Sequence, residues 1–166
     1  MSSLIERTLL RPARPEDLAQ AQEIAVQAWE VIYRSFRRLV GEEIWAIAWP
    51  DAAAMKRQEI KGHFDRYPQW VLVTELDGKV VGFITYLLEP SRKLGIIGNN
   101  GVHPDYQGQG IGTRQQREVL DIFRREGMLV ANVFTGLDEG HTKARAAYAK
   151  VGFKLGIPMI NYYLKL

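Results

Sequence analysis

Apolar positions along this chain follow two rhythms, one of two residues and one of three to four. The changes of rhythm mark out the elements. Residues 4–10 read as a first strand, at a sheet edge because Pro12 follows closely. Arg14-Pro15-Glu16-Asp17 opens a helix, with Pro in the first turn and two carboxylates at the positive end of its dipole. Leu18, Ala21, Ala25, Ala28 and Ile32 then give that helix one apolar face, and Trp29, Tyr33, Arg34 and Phe36 fall at or beyond its end. A second helical segment holds Ile44, Trp45, Ile47, Ala48 and Trp49 and stops at Pro50. Asp51 can cap a third, residues 52–64, with Met55 and Ile60 inward. The many Trp and Tyr side chains in these segments suit core packing or the wall of a substrate pocket.

Residues 70–76 and 79–88 read as strands joined by an Asp77-Gly78 hairpin turn. A break at Glu89-Pro90-Ser91-Arg92 is followed by a strand over 94–102. Residues 113–126 carry no Gly or Pro and read as a helix, on which Gln115 shares a face with Ile111, Val119 and Ile122; Gly127 ends it. That placement predicts a buried, hydrogen-bonded amide at Gln115. A strand over 129–134 leads to a helix over 141–151, with Ala144, Ala147, Tyr148 and Val151 on one face and Gly152 at the position of a left-handed cap. A last strand is expected over 161–165. The order is β-α-α-α-β-β-β-α-β-α-β, a mixed α/β sheet in one domain spanning 1–166.

The chemistry concentrates in Val102-His103-Pro104-Asp105-Tyr106-Gln107-Gly108-Gln109-Gly110-Ile111-Gly112. Three glycines at alternate positions let the backbone curl with its N–H groups inward, at the start of a helix whose first donors have no partner. Such a loop suits phosphate or pyrophosphate. The dinucleotide fingerprint would need glycines at 108, 110 and 113, but position 113 is Thr. The ATP-type loop would need Gly-Lys-Ser/Thr, and Gly112 is followed by Thr113-Arg114.

Gln107, Gly110 and Gly112, preceded by Val102 and Pro104, resemble the acyl-CoA loop of the GNAT superfamily of N-acetyltransferases. Ala144, Tyr148, Gly152 and Phe153 resemble a second element of that superfamily, in the order its fold uses. The resemblance covers nearly the whole chain and is weakest between Trp29 and Arg66. It implies that amides from Gly108 through Gln109, Gly110, Ile111 and Gly112 to Thr113, beside Gln107, hold the pyrophosphate of acetyl-CoA. Val102 and its neighbours would pair with the pantetheine arm where two strands splay apart, and Tyr148 would reach the thioester sulfur. His141 stands where the family usually has Asn, and its imidazole could still donate to the cofactor. Gln115 and Gln116 replace a usual Leu. Asn99-Asn100 replaces aliphatics, as a side-chain-stabilised bulge or as part of an acceptor pocket.

The remaining composition narrows the setting. The 166 residues carry a net charge of +3, too mild to demand nucleic acid, and no Cys, which excludes disulfides and thiolate chemistry. No metal is expected. The longest apolar run, residues 80–88, is too short for a bilayer, and the mixed charges near the start do not resemble a signal peptide. A cytoplasmic enzyme without nucleic-acid or membrane partners is the expectation, with a homodimer left open. Acetyl transfer from acetyl-CoA to a small-molecule or peptide amine needs that amine deprotonated, oxyanion donors and an acid for the thiolate; Tyr148 fits the last demand. Glu75 and Glu89 are candidate bases, as is a water chain, and His103 is a turn residue or a base. The alternatives are a non-catalytic acyl-CoA-binding module and a nucleotide-binding protein of another class.

Overall fold

The computed structural model describes residues 4–166. Leu4–Arg7 is a short 3-10 helix, and strand β1 covers only Leu9–Pro12, correcting the strand expected over 4–10. The N–H and Oγ1 of Thr8 both donate to the Ile5 carbonyl, at 3.3 and 2.7 Å, closing a turn that an extended chain cannot make. Helix α1, Leu18–Val40, runs further than its apolar stripe suggests and takes in Trp29, Tyr33, Arg34 and Phe36. Ser35 continues the inward face from Ile32 as a small buried residue, which an apolar pattern does not register. Gly41, at φ 81°, breaks the chain into α2, Glu42–Ala48. Helix α3, Ala52–Arg66, is capped as anticipated: Asp51 Oδ1 accepts from the Ala54 N–H at 2.8 Å.

Strands β2, Val71–Leu76, and β3, Lys79–Glu89, meet at Asp77-Gly78, both with positive φ, as a two-residue hairpin requires. Strand β4, Leu94–Val102, helix α4, Ile111–Arg125, strand β5, Val130–Val133, and helix α5, Thr142–Lys150, complete the fold. Among the described residues five strands lie in the order β1-β2-β3-β4-β5, with only the β4–β5 pair parallel. The strand expected over 161–165 is absent. A strand needs a partner, and this segment runs instead to α2, where Tyr163 packs on Trp49 and Lys165 pairs with Glu43.

Each face of the sheet is covered by helices. On one, Ala21, Ile24 and Ala25 of α1 and Ile60 and Phe64 of α3 pack on Val71, Val73, Val80 and Phe83. On the other, Val119, Leu120 and Phe123 of α4 pack on Leu72, Ile84, Tyr86 and Ile97. Burying each larger side chain contributes roughly 1.5–3 kcal/mol. Gln115 is fully buried and donates to Thr74 Oγ1 at 2.9 Å, as its position on the apolar face implied. Gln116 is buried beside it.

Candidate functional site

The site begins with a change in how β4 is paired. Its first half, Leu94 to Ile97, lies against β5, but pairing with β5 stops at Ile97–Val133 while β4 runs on to Val102. On the other side β3 stays paired: Gly82, Phe83 and Ile84 oppose Val102, Gly101 and Asn100. The His103 N–H donates to the Val81 carbonyl at 2.9 Å. Hydrogen-bonding direction alternates along an antiparallel pair, so Val102 and Asn100 turn their N–H and C=O groups away from β3, toward the open side. Gln107 Nε2 donates to the Val102 carbonyl at 3.0 Å, showing that this oxygen is accessible there.

Beyond Val102 the loop has the shape its glycines suggest. Gly108 and Gly110 have φ of 78° and 87°, conformations costly for most side chains. Arg114 makes the first backbone bond of α4, to the Gly110 carbonyl at 2.9 Å, and no side chain caps the helix. The amides of Ile111, Gly112 and Thr113 therefore open the helix at its positive end. Gln109 is exposed, Ile111 is buried as an anchor, and a Cβ on Gly112 would lie 3.7 Å from Val102 Cγ2. An open cleft of about 640 Å³ adjoins the loop, lined by Ile5, Glu6, Gly110, Thr113, Arg114, Arg117 and Lys150. Its three cations outnumber the Glu6 carboxylate and so suit an anionic ligand, though Arg114 also braces the first turn by donating to the Ile5 and Thr8 carbonyls at 2.8 and 2.9 Å. The spacing of Arg114 and Arg117 on one helix was the signal for them; Lys150 left none.

Where β5 drops away, β4 carries a bulge. Ile84 opposes Asn100 but Tyr86 opposes Ile97, so Thr85 faces both Gly98 and Asn99. Thr85 Oγ1 pins the bulge by accepting from the Asn99 N–H at 2.8 Å. The two asparagines then reach different helices. Asn100 Oδ1 accepts from the Tyr148 hydroxyl of α5 at 3.2 Å. Asn99 turns to α3, where its Oδ1 accepts from Lys56 Nζ at 2.6 Å and its Nδ2 donates to Glu59 Oε1 at 2.8 Å. The pair does sit at a bulge, but the Thr85 hydroxyl pins it, and the two side-chain amides reach outward to Tyr148 on one helix and to Lys56 and Glu59 on another.

Tyr148 is 6% exposed, and burial pushes its hydroxyl up to about 12, so it stays protonated at neutral pH. Its ring meets Phe153 edge-on, joining the two ends of the second motif. Gly152, at φ 107°, ends α5 where the left-handed cap was expected. His141 is turned to Asp138 Oδ1, 2.6 Å from its Nδ1, and its ring lies beside Phe36.

The candidate bases lie elsewhere. Glu75 is bound by Arg11 at 2.8 Å, and Arg11 also holds the buried Asp17 at 2.7 Å. Glu89 pairs with Arg92 at the other end of β4, opposite Leu94. His103 accepts from the Asp105 N–H at 3.3 Å as part of the turn.

Sequence reasoning missed Lys56 and Glu59. Lys56 is 3% exposed, lies 3.8 Å from the centre of the Trp29 ring, and binds Glu59 Oε2 at 2.8 Å. Burial lowers the Lys56 ammonium, and Glu59 partly offsets this. Burial works to raise the Glu59 carboxyl, but the charge of Lys56 and the bonds from Lys56 and Asn99 outweigh it and hold the group below the usual carboxylate range. The aromatic side chains of α1 and α2 stand apart from the hydrophobic core. Tyr33, Phe36, Trp45 and Trp49 form a half-buried chain of ring contacts, with Trp45 and Trp49 stacked at 4.8 Å, and Tyr163 joins it.

Comparison with known proteins bears on this arrangement. Residues 26–153 match the acetyltransferase (GNAT) family. An uncharacterized N-acetyltransferase of Archaeoglobus fulgidus is 28% identical over 108 residues, covering 60% of this chain and 72% of that one. One from Methanocaldococcus jannaschii is 24% identical over 157 residues, covering 92% of this chain, which spans only 63% of that relative's length. Among solved structures, the PaiA N-acetyltransferase of Thermoplasma acidophilum, in complex with coenzyme A, matches with a TM-score of 0.68 at 19% identity, over 90% of this chain and 91% of that one. The mixed sheet has the acyl-CoA N-acyltransferase fold, and the chain belongs to the GNAT acetyltransferase family.

Proposed function

We propose that this chain transfers an acetyl group from acetyl-CoA to a primary amine by direct attack, with both substrates bound together. The observation that carries the reading is the open side of β4 beyond Ile97, lying between the loop amides and Tyr148. The amides from Gly108 to Thr113 would hold the pyrophosphate, helped by the cations of the adjoining cleft. Val102 would pair with the amide-bearing pantetheine arm as a neighbouring strand would. That register would bring the thioester to the bulge, where the Asn100 N–H, turned away from β3, would stabilise the oxyanion.

Nitrogen attack forms the C–N bond, and collapse breaks the C–S bond. The Tyr148 hydroxyl gives its proton to the departing thiolate and recovers one from the amide nitrogen. His141, held by Asp138, lies at the start of α5 and would contact the cofactor from that side. Calorimetry with acetyl-CoA, CoA, NAD and ATP, followed by thiol release over a panel of amines, tests the proposal. Micromolar acetyl-CoA binding with amine-dependent thiol release is expected. Binding without release on any amine would favour a binding module, and preference for NAD or ATP would reject the reading.

A further inference from the structure

The β4 bulge meets Tyr148 of α5 through Asn100 and, toward α3, a polar cluster of Asn99, Lys56 and Glu59 that an acetyl acceptor arriving from the α3 side would encounter. Glu59 lies on α3 and is tied to the bulge residue Asn99, one position from the residue that holds Tyr148. Its two oxygens accept from Asn99 Nδ2 and Lys56 Nζ, each at 2.8 Å, so the carboxylate is fixed in place. Lone pairs remain on both oxygens, and the side chain keeps 54% of its surface exposed. A carboxylate used only as a brace could be fully enclosed. This one is fixed from behind and open in front.

Its neighbours favour a cation. The Trp29 ring already faces the Lys56 ammonium, and Tyr33 is close enough for the charge of Glu59 to add to burial in pushing its hydroxyl up to about 12. Aromatic faces beside a carboxylate attract ammonium groups. Lys56 has a second effect. Its fixed positive charge opposes the hold of the Glu59 carboxylate on an incoming alkylammonium, whose pKa in water is about 10.4, and so eases loss of the proton from the bound cation.

We infer that Glu59 is the carboxylate that orients the acceptor ammonium and takes its proton, with Lys56 and Asn99 holding it at the bulge. This rests on the acetyl-transfer reading above. The ammonium gives one proton to Glu59, which passes it to solvent. The freed lone pair forms the C–N bond, and the second proton leaves as already described for Tyr148. Charge and protons balance: an ammonium and a thioester become an amide, a thiol and one released proton.

The test uses the intact chain with Glu59→Gln and Glu59→Asp variants. Acetyl-CoA affinity should stay within twofold of wild type in both, since the carboxylate is on the acceptor side. With spermidine, an alanyl tripeptide amide and Nα-acetyllysinamide as acceptors, kcat/KM should fall at least ~100-fold in Glu59→Gln and recover in part in Glu59→Asp. A second readout needs no turnover. In CoA-bound, isotope-labelled protein, n-butylammonium should shift the Trp29 indole N–H resonance in wild type but not in Glu59→Gln, and propionate should leave it unmoved. Equal shifts in both proteins, a response to propionate instead, or Glu59→Gln turnover within threefold of wild type would overturn the assignment. Failure of wild type to bind acetyl-CoA would instead defeat the acetyl-transfer reading, and the same resonance shifts, then measured on the free protein, would still decide what Glu59 binds.

Discussion

The Tyr148 hydroxyl donates to Asn100 Oδ1 at 3.2 Å, linking the last turn of α5 to the bulged residue of β4. The bond is long for two oxygens, so the hydroxyl is aimed without being tightly held. Tyr148→Phe keeps the ring packed on Phe153 and removes only the proton and this bond. Turnover at saturating acetyl-CoA should fall ~10²-fold or more while cofactor affinity changes little. Steady-state kinetics on an identified amine, with an acyl donor of more acidic thiol as a second arm, measures this; the loss should shrink with that donor.

Burial of Tyr148 also makes a statement about stability. Its hydroxyl titrates near 10 in the unfolded chain and at about 12 in the fold. The folded state therefore prefers the protonated form, and that advantage is intact below pH 10. Between pH 10 and 12 the unfolded chain loses the proton first, and wild type should lose about 2–3 kcal/mol relative to Tyr148→Phe. Urea titrations of both proteins across this range should converge or cross; parallel curves would contradict the burial.

Gly110 tests the loop. Its φ of 87° is one that Asp tolerates better than most residues, and an added Cβ would meet only the flexible Ile5 Cδ1, at 3.2 Å. Gly110→Asp should therefore fold, yet place a carboxylate among the open amides. Acetyl-CoA binding should weaken at least ~10-fold, about 1.4 kcal/mol, by calorimetry. Unchanged affinity in the folded variant would remove the loop from the cofactor site.

Gly82 tests the buried amide. A Cβ there would fall 2.5 Å from Gln115 Nε2 and 3.0 Å from the Gly101 carbonyl. Gly82→Ala should destabilise the fold by about 1–3 kcal/mol. Shortening the neighbour with Gln115→Ala should make the pair non-additive, with part of the Gly82→Ala cost recovered. Additive losses in urea denaturation would place the clash elsewhere.

The parts of this fold written in short-range pattern were legible in the sequence. The Asp77-Gly78 turn, the Asp51 cap, the inward Gln115 and the Gly152 cap each depend on a few adjacent residues, and each lies where that local chemistry puts it. Features set by distant partners were not legible. Residues 161–165, with two Tyr and a Leu, have the composition of a strand, but the segment is drawn to α2 and its end by Glu43 and Trp49, far away in sequence. Lys56 and Glu59 read as ordinary solvated charges until α3 is docked against Asn99, because the sequence does not show that the β4 bulge lies beneath them. The direction of His141 depends on Asp138 within its own loop, and no spacing rule fixes that rotamer.

An unpaired strand edge is usually a hazard, because it offers a template to any extended chain that meets it. In this fold the exposed backbone of β4 beyond Ile97 lies inside the sheet, flanked by the start of α4 on one side and by α5 on the other. A whole β-strand from another molecule would carry side chains into both flanks. A thin arm with amides but no side chains would not. The parting of β4 from β5 would thus act as a steric filter, restricting a sticky edge to a ligand of narrow cross-section.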